Sequence, residues 1–343
     1  MAATDFTISM AHGAGGRAMH NLIEQMVLPA FDNGLLRPLE DQARIGLESL
    51  ARHGERLAFT TDSYVIDPLF FPGGNIGKLA VCGTVNDLAM AGATPLYLSC
   101  ALIIEEGLAS GELDRVLAAM AEQARACDVQ VVTGDTKVVN RGAMDRLFIN
   151  TAGLGVVPGG IEISASRARP GDRIIVSGTL GDHGIAILIA RNELALHSEI
   201  QSDCRPLHGL VQVMLRACRD IHCLRDATRG GVATVLNEFA KASRVGMRLH
   251  EAALPLRPEV RGACEMLGLD PLYVANEGKL VAIVAADVAD AVLEAMRSHP
   301  AGRDAAIIGE VVPEPSGTVT LRTPFGGERV VDTLVGEQLP RIC

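Results

Sequence analysis

The chain has 343 residues, a formal net charge of −10, no tryptophan and only 3% aromatic residues. Nucleic-acid binding depends on clustered Lys and Arg and on base stacking, so nucleic acid is not expected as the main partner. A membrane role is not expected either, because Gly, Asp or Glu interrupts the apolar stretches well before the roughly 20 residues that a membrane helix needs.

The cysteine pattern and the first residues indicate a reduced, cytoplasmic protein. Eight cysteines are scattered without a CxxC pair, and the spacing of Cys218 and Cys223 is too wide for a zinc knuckle. Residues 1–10 lack a basic region followed by an apolar core, so no secretory signal is expected. Free thiols without a structural zinc fit the cytoplasm.

The first half of the chain alternates between strand-like and helix-like patterns. The expected order is strand, helix, strand, helix, strand, strand, at residues 57–66, 75–93, 95–104, 114–126, 129–139 and 145–157. Such alternation predicts an α/β or α+β layer packed on a sheet. The length of the chain is enough for two domains of roughly 100–200 residues each.

A turn-rich segment at 157–173 predicts a domain junction, and the alternation restarts after it. Strands are expected at 173–180, 279–285 and 305–312, and helices at 181–194, 230–243 and 289–298. We therefore predict an N-terminal domain at 1–160, a C-terminal domain at 161–323, and a terminal strand and tail at 324–343.

Five aspartates lie where strands end or helices begin: Asp41, Asp62, Asp87, Asp135 and Asp226. Each alone is readily explained as a turn former or a helix cap. As a set they indicate a binding function, because several of them follow or interrupt apolar elements, where an uncompensated carboxylate is costly. Carboxylates around a triphosphate are what Mg²⁺ requires.

A glycine loop, HGAGG at residues 12–16, directly precedes a helical pattern and suits phosphate oxygens. It is neither a Walker loop nor a dinucleotide motif, and a mobile N-terminal segment is an equal alternative. Three roles are open for Lys137. It contacts phosphate, it transfers a proton, or it pairs with Asp135, which lies two residues before it. Glu277 is either a turn residue or a catalytic carboxylate at the entrance of a strand.

The tail ends in Pro340, Arg341, Ile342 and Cys343. A thiol at this position is buried only if the tail docks, and Arg341 beside it favours the reactive thiolate. From physics alone, an incidental cysteine and a functional one are equally expected, because termini are often unordered.

Taken together, these segments resemble the HypE family of hydrogenase maturation proteins, in the aminoimidazole-ribonucleotide synthetase superfamily. The similarity covers nearly the whole chain, and the run around Asn86 and Asp87 and the PRIC ending are its most specific parts. Its markers are HGAGG, EDQARI, TTDSYV, FFPGGNIGKLAVCGTVNDLAMAGA, TGDTKVV, GDHG, RDATRGG, NEGK and PRIC.

The resemblance implies that ATP and Mg²⁺ are used to dehydrate an S-carbamoyl group on Cys343 to a thiocyanate, which supplies the cyanide ligands of the [NiFe] hydrogenase iron. The implied partners are the carbamoyltransferase HypF, which loads the group, and the HypC–HypD iron-carrying complex. The implied assembly is a homodimer in which the N-terminal strands of two α/β chains form a barrel.

The resemblance also implies roles for particular residues. Cys343, Lys137 and Glu277 are expected to be catalytic, and Asp41, Asp62, Asp87 and Asp226 are expected to hold Mg²⁺. The nucleotide-binding set comprises Gly13, Gly15, Gly16, Asp41, Asp62, Asn86, Asp87, Asp135 and Asp226.

Two other functions remain open at this stage. One is a superfamily synthetase or kinase that acts on a diffusible small molecule, which would not need the terminal PRIC. The other is a scaffold that only presents a thiol to partner proteins, for which the aspartates would have no use.

Overall fold

The computed structural model describes residues 6–191, 198–334, 336, 339 and 341–343. Its N-terminal segment is a 3₁₀ turn at Met10–Gly13 followed by a helical stretch made of α1 (Arg17–Leu22), a π-helical turn (Ile23–Val27) and α2 (Leu28–Phe31). Helix α3 (Leu47–Ala51) precedes the first sheet.

The first sheet lies in the N-terminal half. Its strands are β1 (Arg56–Tyr64), β4 (Thr94–Glu105), β5 (Gln130–Val139) and β6 (Leu147–Val157), in the order β1-β6-β4-β5. A small hairpin, β2 (Phe70–Phe71) and β3 (Gly74–Asn75), separates β1 from helix α4 (Ile76–Met90), and α5 (Ser110–Ala126) connects β4 to β5. The β4–β5 pair is parallel, and the other pairs are antiparallel.

Helix α4 is buried along nearly its whole length. The Asn75 side chain starts it by accepting hydrogen bonds from the N–H groups of Gly77 and Lys78, at 2.9 and 3.0 Å. A Cβ atom at Gly83 would lie 2.2 Å from the Tyr64 hydroxyl, so glycine lets α4 lie directly against β1.

The opposite face of the first sheet is open. Phe59 and Leu57 on β1 are 73% and 58% exposed, and Ile103 on β4 is also exposed. The edge strands of the sheet, β1 and β5, have no further strand partner among the described residues of this chain. An apolar face with two free edges suits closure against a second sheet.

The second sheet has seven strands in the order β13-β12-β9-β11-β7-β10-β8. They are β7 (Arg173–Val176), β8 (Cys223–Asp226), β9 (Gly246–His250), β10 (Leu280–Val284), β11 (Ala306–Val312), β12 (Val319–Arg322) and β13 (Glu328–Val330). The helices of this half are α6 (Asp182–Ala190), α7 (His208–Ala217), α8 (Gly231–Ser243), α9 (Pro258–Leu267) and α10 (Ala289–Arg297).

The two halves share a core. Leu88 and Ala89, near the end of α4, pack in one apolar cluster with Leu210 and Met214 of α7. Helix α4 therefore belongs to both halves, and it places the residues at its C-terminal end where the two sheets meet.

The predicted alternation is confirmed, and two of the predicted elements end earlier than expected. The strand expected at 173–180 stops at Val176, and the described part of the helix expected at 181–194 stops at Ala190, residues 192–197 being outside the description. The short strands β8, β9 and β12 were not predicted. In the described part of the chain, no helix is both long enough and apolar enough to cross a membrane.

Candidate active site

The C-terminal tail is docked into the molecule beside the end of β1. The Val65 N–H donates to the Cys343 carbonyl at 3.2 Å, and the Asp67 N–H donates to the Arg341 carbonyl at 3.3 Å. Ile342 between them is 3% exposed. The tail thus extends along the chain after β1 as an added extended segment, while Pro340 lies outside the described residues.

The docked tail brings Cys343 against Glu277. Burial, followed by the negative charge of Glu277, raises the pKa of the Cys343 thiol well above its usual value, which Arg229 partly opposes. Arg229 also lines, together with Ile342, a cavity of about 300 Å³ beside the tail. The two residues predicted to react, 66 positions apart, are therefore neighbours.

Glu277 is itself 3% exposed, and its Oε1 atom has no hydrogen-bond partner. Burial, reinforced by negative charge from Asp203 and Asp226 among others, raises the pKa of this carboxyl well above its ordinary value. A buried acceptor without a donor is costly in a folded protein. Glu277 is therefore a carboxyl group prepared to accept a proton or a hydrogen bond from a substrate.

A buried ion pair fixes the backbone that presents Glu277. The Asp203 carboxylate accepts hydrogen bonds from the N–H groups of Glu277 and Gly278 at 3.0 and 3.2 Å, and from Lys279 Nζ at 2.9 Å. Burial opposes ionisation of Asp203, yet Lys279 contributes enough that the pKa of Asp203 is lowered. Lys279 also lies 3.9 Å from the buried Asp182.

Three of the predicted aspartates meet where β1, α4 and β8 come together. Burial raises the pKa of Asp226 to about 7, with further contributions from the charges of Asp87 and Asp62. Burial also raises the pKa of Asp87, although the Thr60 hydroxyl donates a hydrogen bond to it at 2.8 Å. The Asp62 charge in turn acts on both Glu277 and Cys343. The aspartates and the thiol thus border one site.

Asn86, which the sequence also places in the nucleotide site, is 1% exposed, and its amide binds the backbone of the other half. Its Nδ2 donates to the carbonyls of Arg205 and Glu277 at 3.2 and 3.4 Å, and its Oδ1 accepts from the Leu207 N–H at 2.7 Å. Asn86 therefore joins the two halves and supports the Glu277 loop.

The remaining predicted residues form a second group on β5. Lys137 Nζ donates to Asp135 at 2.8 Å, and both side chains are more than half exposed. A Cβ atom at Gly13 would lie 2.6 Å from the Val138 nitrogen, so the glycine loop packs closely on the same strand. A Cβ atom at Gly15 or Gly16 would meet nothing within 4 Å.

This second group lies at the opposite edge of the first sheet from the tail. The order β1-β6-β4-β5 puts three strand spacings between β1 and Lys137, which is about 14 Å. Asp41 is exposed in the loop before α3, and no hydrogen bond or ion pair that the structure describes links it to the other aspartates.

No group of three or more His, Cys, Asp or Glu side chains in the described ranges is close enough to hold a metal ion by itself. The three aspartates nevertheless fit Mg²⁺, because this ion takes one or two carboxylates and completes its shell with substrate phosphates and water. Burial and, after it, the charge of Asp87 raise the pKa of Asp226, and a bound cation would oppose both effects.

Sequence reasoning missed several residues that hold the tail and the Glu277 loop, chiefly His183, Ser202, Asp203 and Lys279. His183 and Lys279 stood within the GDHG and NEGK markers, but nothing in those motifs tells what their side chains contact. Ser202 and Asp203 belong to no motif, and only the fold brings them to the site.

Comparisons with known proteins agree with this geometry. The chain matches the family models for AIR synthase related proteins, with the N-terminal domain at residues 40–157 and the C-terminal domain at 169–322. It is 55% identical, over 343 residues and the full length of both chains, to the carbamoyl dehydratase HypE of Rhodobacter capsulatus. The chain belongs to the HypE family.

Solved HypE structures have the same fold. A HypE crystallised in complex with ATP superposes with a TM-score of 0.93 at 48% identity, covering 98% of this chain and 100% of that one. A HypE from a HypE–HypF complex superposes with a TM-score of 0.79 at 48% identity, covering 91% of this chain and 99% of that one. HypE-family membership therefore rests on both sequence and fold.

Proposed function

We propose that the chain is an ATP-dependent carbamoyl dehydratase that converts an S-carbamoyl group on Cys343 to a thiocyanate. The observation that supports this most is the docked tail, which brings the Cys343 thiol close enough to the buried Glu277 carboxyl for the charge of Glu277 to raise the pKa of the thiol. The name of the relatives, carbamoyl dehydratase, and the ATP in a HypE crystal structure support the reaction and the cosubstrate.

The reaction balances in two steps. The carbamoyl oxygen attacks the γ-phosphorus of ATP, ADP leaves, and the nitrogen loses one proton. The second N–H proton is then removed as the C–O bond breaks, which releases phosphate and leaves S–C≡N. An amide oxygen leaves poorly until it is phosphorylated, and positioning is the main catalytic device for phosphoryl transfer.

Glu277 is the proposed base. Burial raises the pKa of this carboxyl well above its ordinary value. A carboxyl group with a raised pKa is a better general base, because a base works best when its pKa lies near the operating pH. Its unpaired Oε1 is available to accept an N–H from the carbamoyl group attached to Cys343. The Asp203–Lys279 pair and Asn86 hold the backbone of this carboxyl, so its position does not depend on the substrate.

Asp62, Asp87 and Asp226 are the proposed residues for MgATP, and the ion would neutralise charge on the transferring phosphoryl group. Their carboxylates are close enough to influence one another and the tail. Asp41, the glycines at 13, 15 and 16, and Asp135 remain proposed nucleotide contacts.

Lys137 is proposed to act across a dimer. In one chain it lies about 14 Å across the sheet from the tail, as the strand order dictates. If two four-stranded sheets close into a barrel around a twofold axis that runs along the barrel, the free β5 edge of one chain faces the free β1 edge of the other. The glycine loop, Asp135 and Lys137 of one subunit would then complete the site of its partner.

In this proposal the protein works in the cytoplasm. HypF loads the carbamoyl group, as the HypE–HypF complex of a relative suggests. The HypC–HypD complex then receives the cyano group as a ligand of the hydrogenase iron.

Intact mass spectrometry tests the reaction. The chain is incubated with its carbamoyltransferase, carbamoyl phosphate and ATP, and with ATP omitted. We expect a carbamoyl adduct that loses the mass of one water only when ATP is present, and no adduct on Cys343→Ala. Glu277→Gln should keep the adduct and lose water about 10²–10⁴-fold more slowly, which is the usual contribution of general base catalysis.

Glu265→Gln on the exposed face of α9 is the matched control and should behave as the unaltered chain. Water loss from Cys343→Ala, or no adduct with an active carbamoyltransferase, would refute the proposal. The second result would favour a synthetase or kinase acting on a diffusible molecule, in which the tail has no chemical part.

A further inference from the structure

His183 lies next to the docked tail and has no part in the chemistry above. It is the second residue of α6, it is fully buried, and its Nε2 lies 2.7 Å from the Ile342 carbonyl oxygen. This contact joins residues 159 positions apart and holds the peptide group directly before Cys343. The position of the thiol therefore depends on where this carbonyl is bound.

The other ring nitrogen is also committed. His183 Nδ1 lies 2.7 Å from Ser202 Oγ, and Ser202 Oγ accepts the Cys204 N–H at 3.1 Å. A carbonyl oxygen only accepts, so Nε2 carries the hydrogen that donates to Ile342. Nδ1 in the neutral ring is then the acceptor for the Ser202 hydroxyl hydrogen. One chain of hydrogen bonds thus fixes the tautomer that binds the tail.

The ring is held on its other sides as well. Phe71 packs edge-on against it with ring centroids 5.7 Å apart, and the Ser202 N–H donates to the Pro72 carbonyl at 2.8 Å. Burial lowers the pKa of His183, which keeps the ring neutral. Every partner of the imidazole is therefore a fixed part of the fold, except the tail.

We propose that His183 is a positioning residue that latches the tail in its docked state by donating from Nε2 to the Ile342 carbonyl, while the Ser202 hydroxyl donates to Nδ1. The effect that we expect on the reaction rests on the proposed function. Carbamoyl transfer by a separate protein needs the thiol to be reachable, whereas dehydration needs it beside Glu277. Loosening the latch should then impair only the second half-reaction.

Two substitutions separate the latch from packing. In His183→Gln the side-chain amide nitrogen occupies the position of Nε2 and still donates to Ile342. In His183→Asn the shorter side chain keeps a partner for Ser202 but does not reach the tail. Both are neutral and polar, so they place similar groups in the same buried site. Ser202→Ala removes the hydroxyl that donates to Nδ1 and that accepts the Cys204 N–H.

The readout is the rate at which Cys343 is alkylated by iodoacetamide, followed on the C-terminal peptide by mass spectrometry. His183→Asn should raise this rate roughly five- to tenfold, the effect of one lost hydrogen bond. Ser202→Ala should raise it by less, and His183→Gln should stay within about twofold of the unaltered chain. The buried thiols of Cys82, Cys100 and Cys223 should stay slow in all variants, because the fold around them is intact.

Equal alkylation rates of Cys343 in all variants would overturn the latch. A rise in the alkylation rate of Cys343 that is matched at the three buried thiols would overturn it as well. Alkylation does not depend on ATP or on any partner, so this result stands even if the dehydratase proposal fails. With the carbamoyltransferase present, His183→Asn should gain the carbamoyl group at the normal rate and lose water about five- to tenfold more slowly. Equal slowing of both half-reactions would contradict the positioning role.

Discussion

Two lysine–aspartate pairs of nearly equal length lie in opposite surroundings. Lys279 and Asp203 are 2.9 Å apart, with side chains 6% and 1% exposed, whereas Lys137 and Asp135 are 2.8 Å apart, with side chains 61% and 54% exposed. The buried pair also binds two backbone N–H groups of the Glu277 loop. In the exposed pair, the Asp135 carboxylate accepts the N–H of the adjacent Thr136 at 2.8 Å, a contact that stays within β5.

The difference shows how the same chemical groups perform different work. A buried ion pair is fixed by the cost of separating its charges, so it can hold the loop that carries the Glu277 carboxyl in place. An exposed pair exchanges readily with water and other ligands, because it contributes little to stability. Lys137 is therefore free to be recruited by a nucleotide or a second subunit, and Lys279 is not.

The largest expected effect tests whether the exposed pair serves the partner subunit. Chains carrying Lys137→Ala and Cys343→Ala, each inactive alone, are coexpressed with different tags, and mixed dimers are isolated. One of the two sites in each mixed dimer then combines an intact Cys343 with an intact Lys137 from the other subunit. We expect about half of the normal thiocyanate yield, as the twofold symmetry requires.

Mixed dimers without activity would show instead that Lys137 acts on the tail of its own chain. A chain with Lys137→Ala that is fully active alone would remove Lys137 from the mechanism. Each result is measured from the mass of the modification on Cys343, which distinguishes the two outcomes.

The next effect concerns stability. Lys279→Met leaves the buried Asp203 carboxylate without its cation and leaves Asp182 paired with Arg257, so the free energy of unfolding should fall by about 3–5 kcal/mol. Lys137→Met is the matched control, because it removes the same group from an exposed pair and should cost about 0–1 kcal/mol. Urea unfolding followed by circular dichroism measures both, and equal losses would contradict the contrast between the two pairs.

The sequence was sufficient to predict the long elements and to single out Glu277 and Cys343, which the fold brings together. The apolar periodicity of α4 and α5 and the long strands of the first sheet are local properties, so they were predicted within a few residues. Glu277 and Cys343 were marked by short motifs whose residue types already suggest chemistry.

The supporting contacts could not be predicted, because they join distant parts of the chain. His183 binds the residue at 342, and Asn86 binds the carbonyl at 277, so neither partner is visible before the fold is known. The position of Lys137 could not be predicted for a related reason. The order of the strands in the sheet, not the spacing of residues in the sequence, decides which edge Lys137 occupies.

The smallest effect is a dependence of stability on pH, and it comes from Asp226. The pKa of this carboxyl is about 7 in the folded chain, against an ordinary value of 3.8, so between these values the folded chain holds a proton that the unfolded chain has released. The stability from this proton is complete below about pH 4 and is lost as the pH rises through about 7. Asp226→Asn removes this loss of stability at higher pH, because asparagine has no carboxyl group to ionise.

Without nucleotide or Mg²⁺, Asp226→Asn should therefore match the unaltered chain near pH 4 and exceed its free energy of unfolding at pH 8. We expect about 1–3 kcal/mol in urea unfolding, less than the full pKa difference implies, because Asp226 retains partial exposure. Asp135→Asn should show a smaller change of opposite sign, since the hydrogen bond from Lys137 lowers the pKa of Asp135 and stabilises its charged form. If the free energy of unfolding changed in the same direction in both variants, burial and charge repulsion would not distinguish the site at Asp226 from the exposed strand edge.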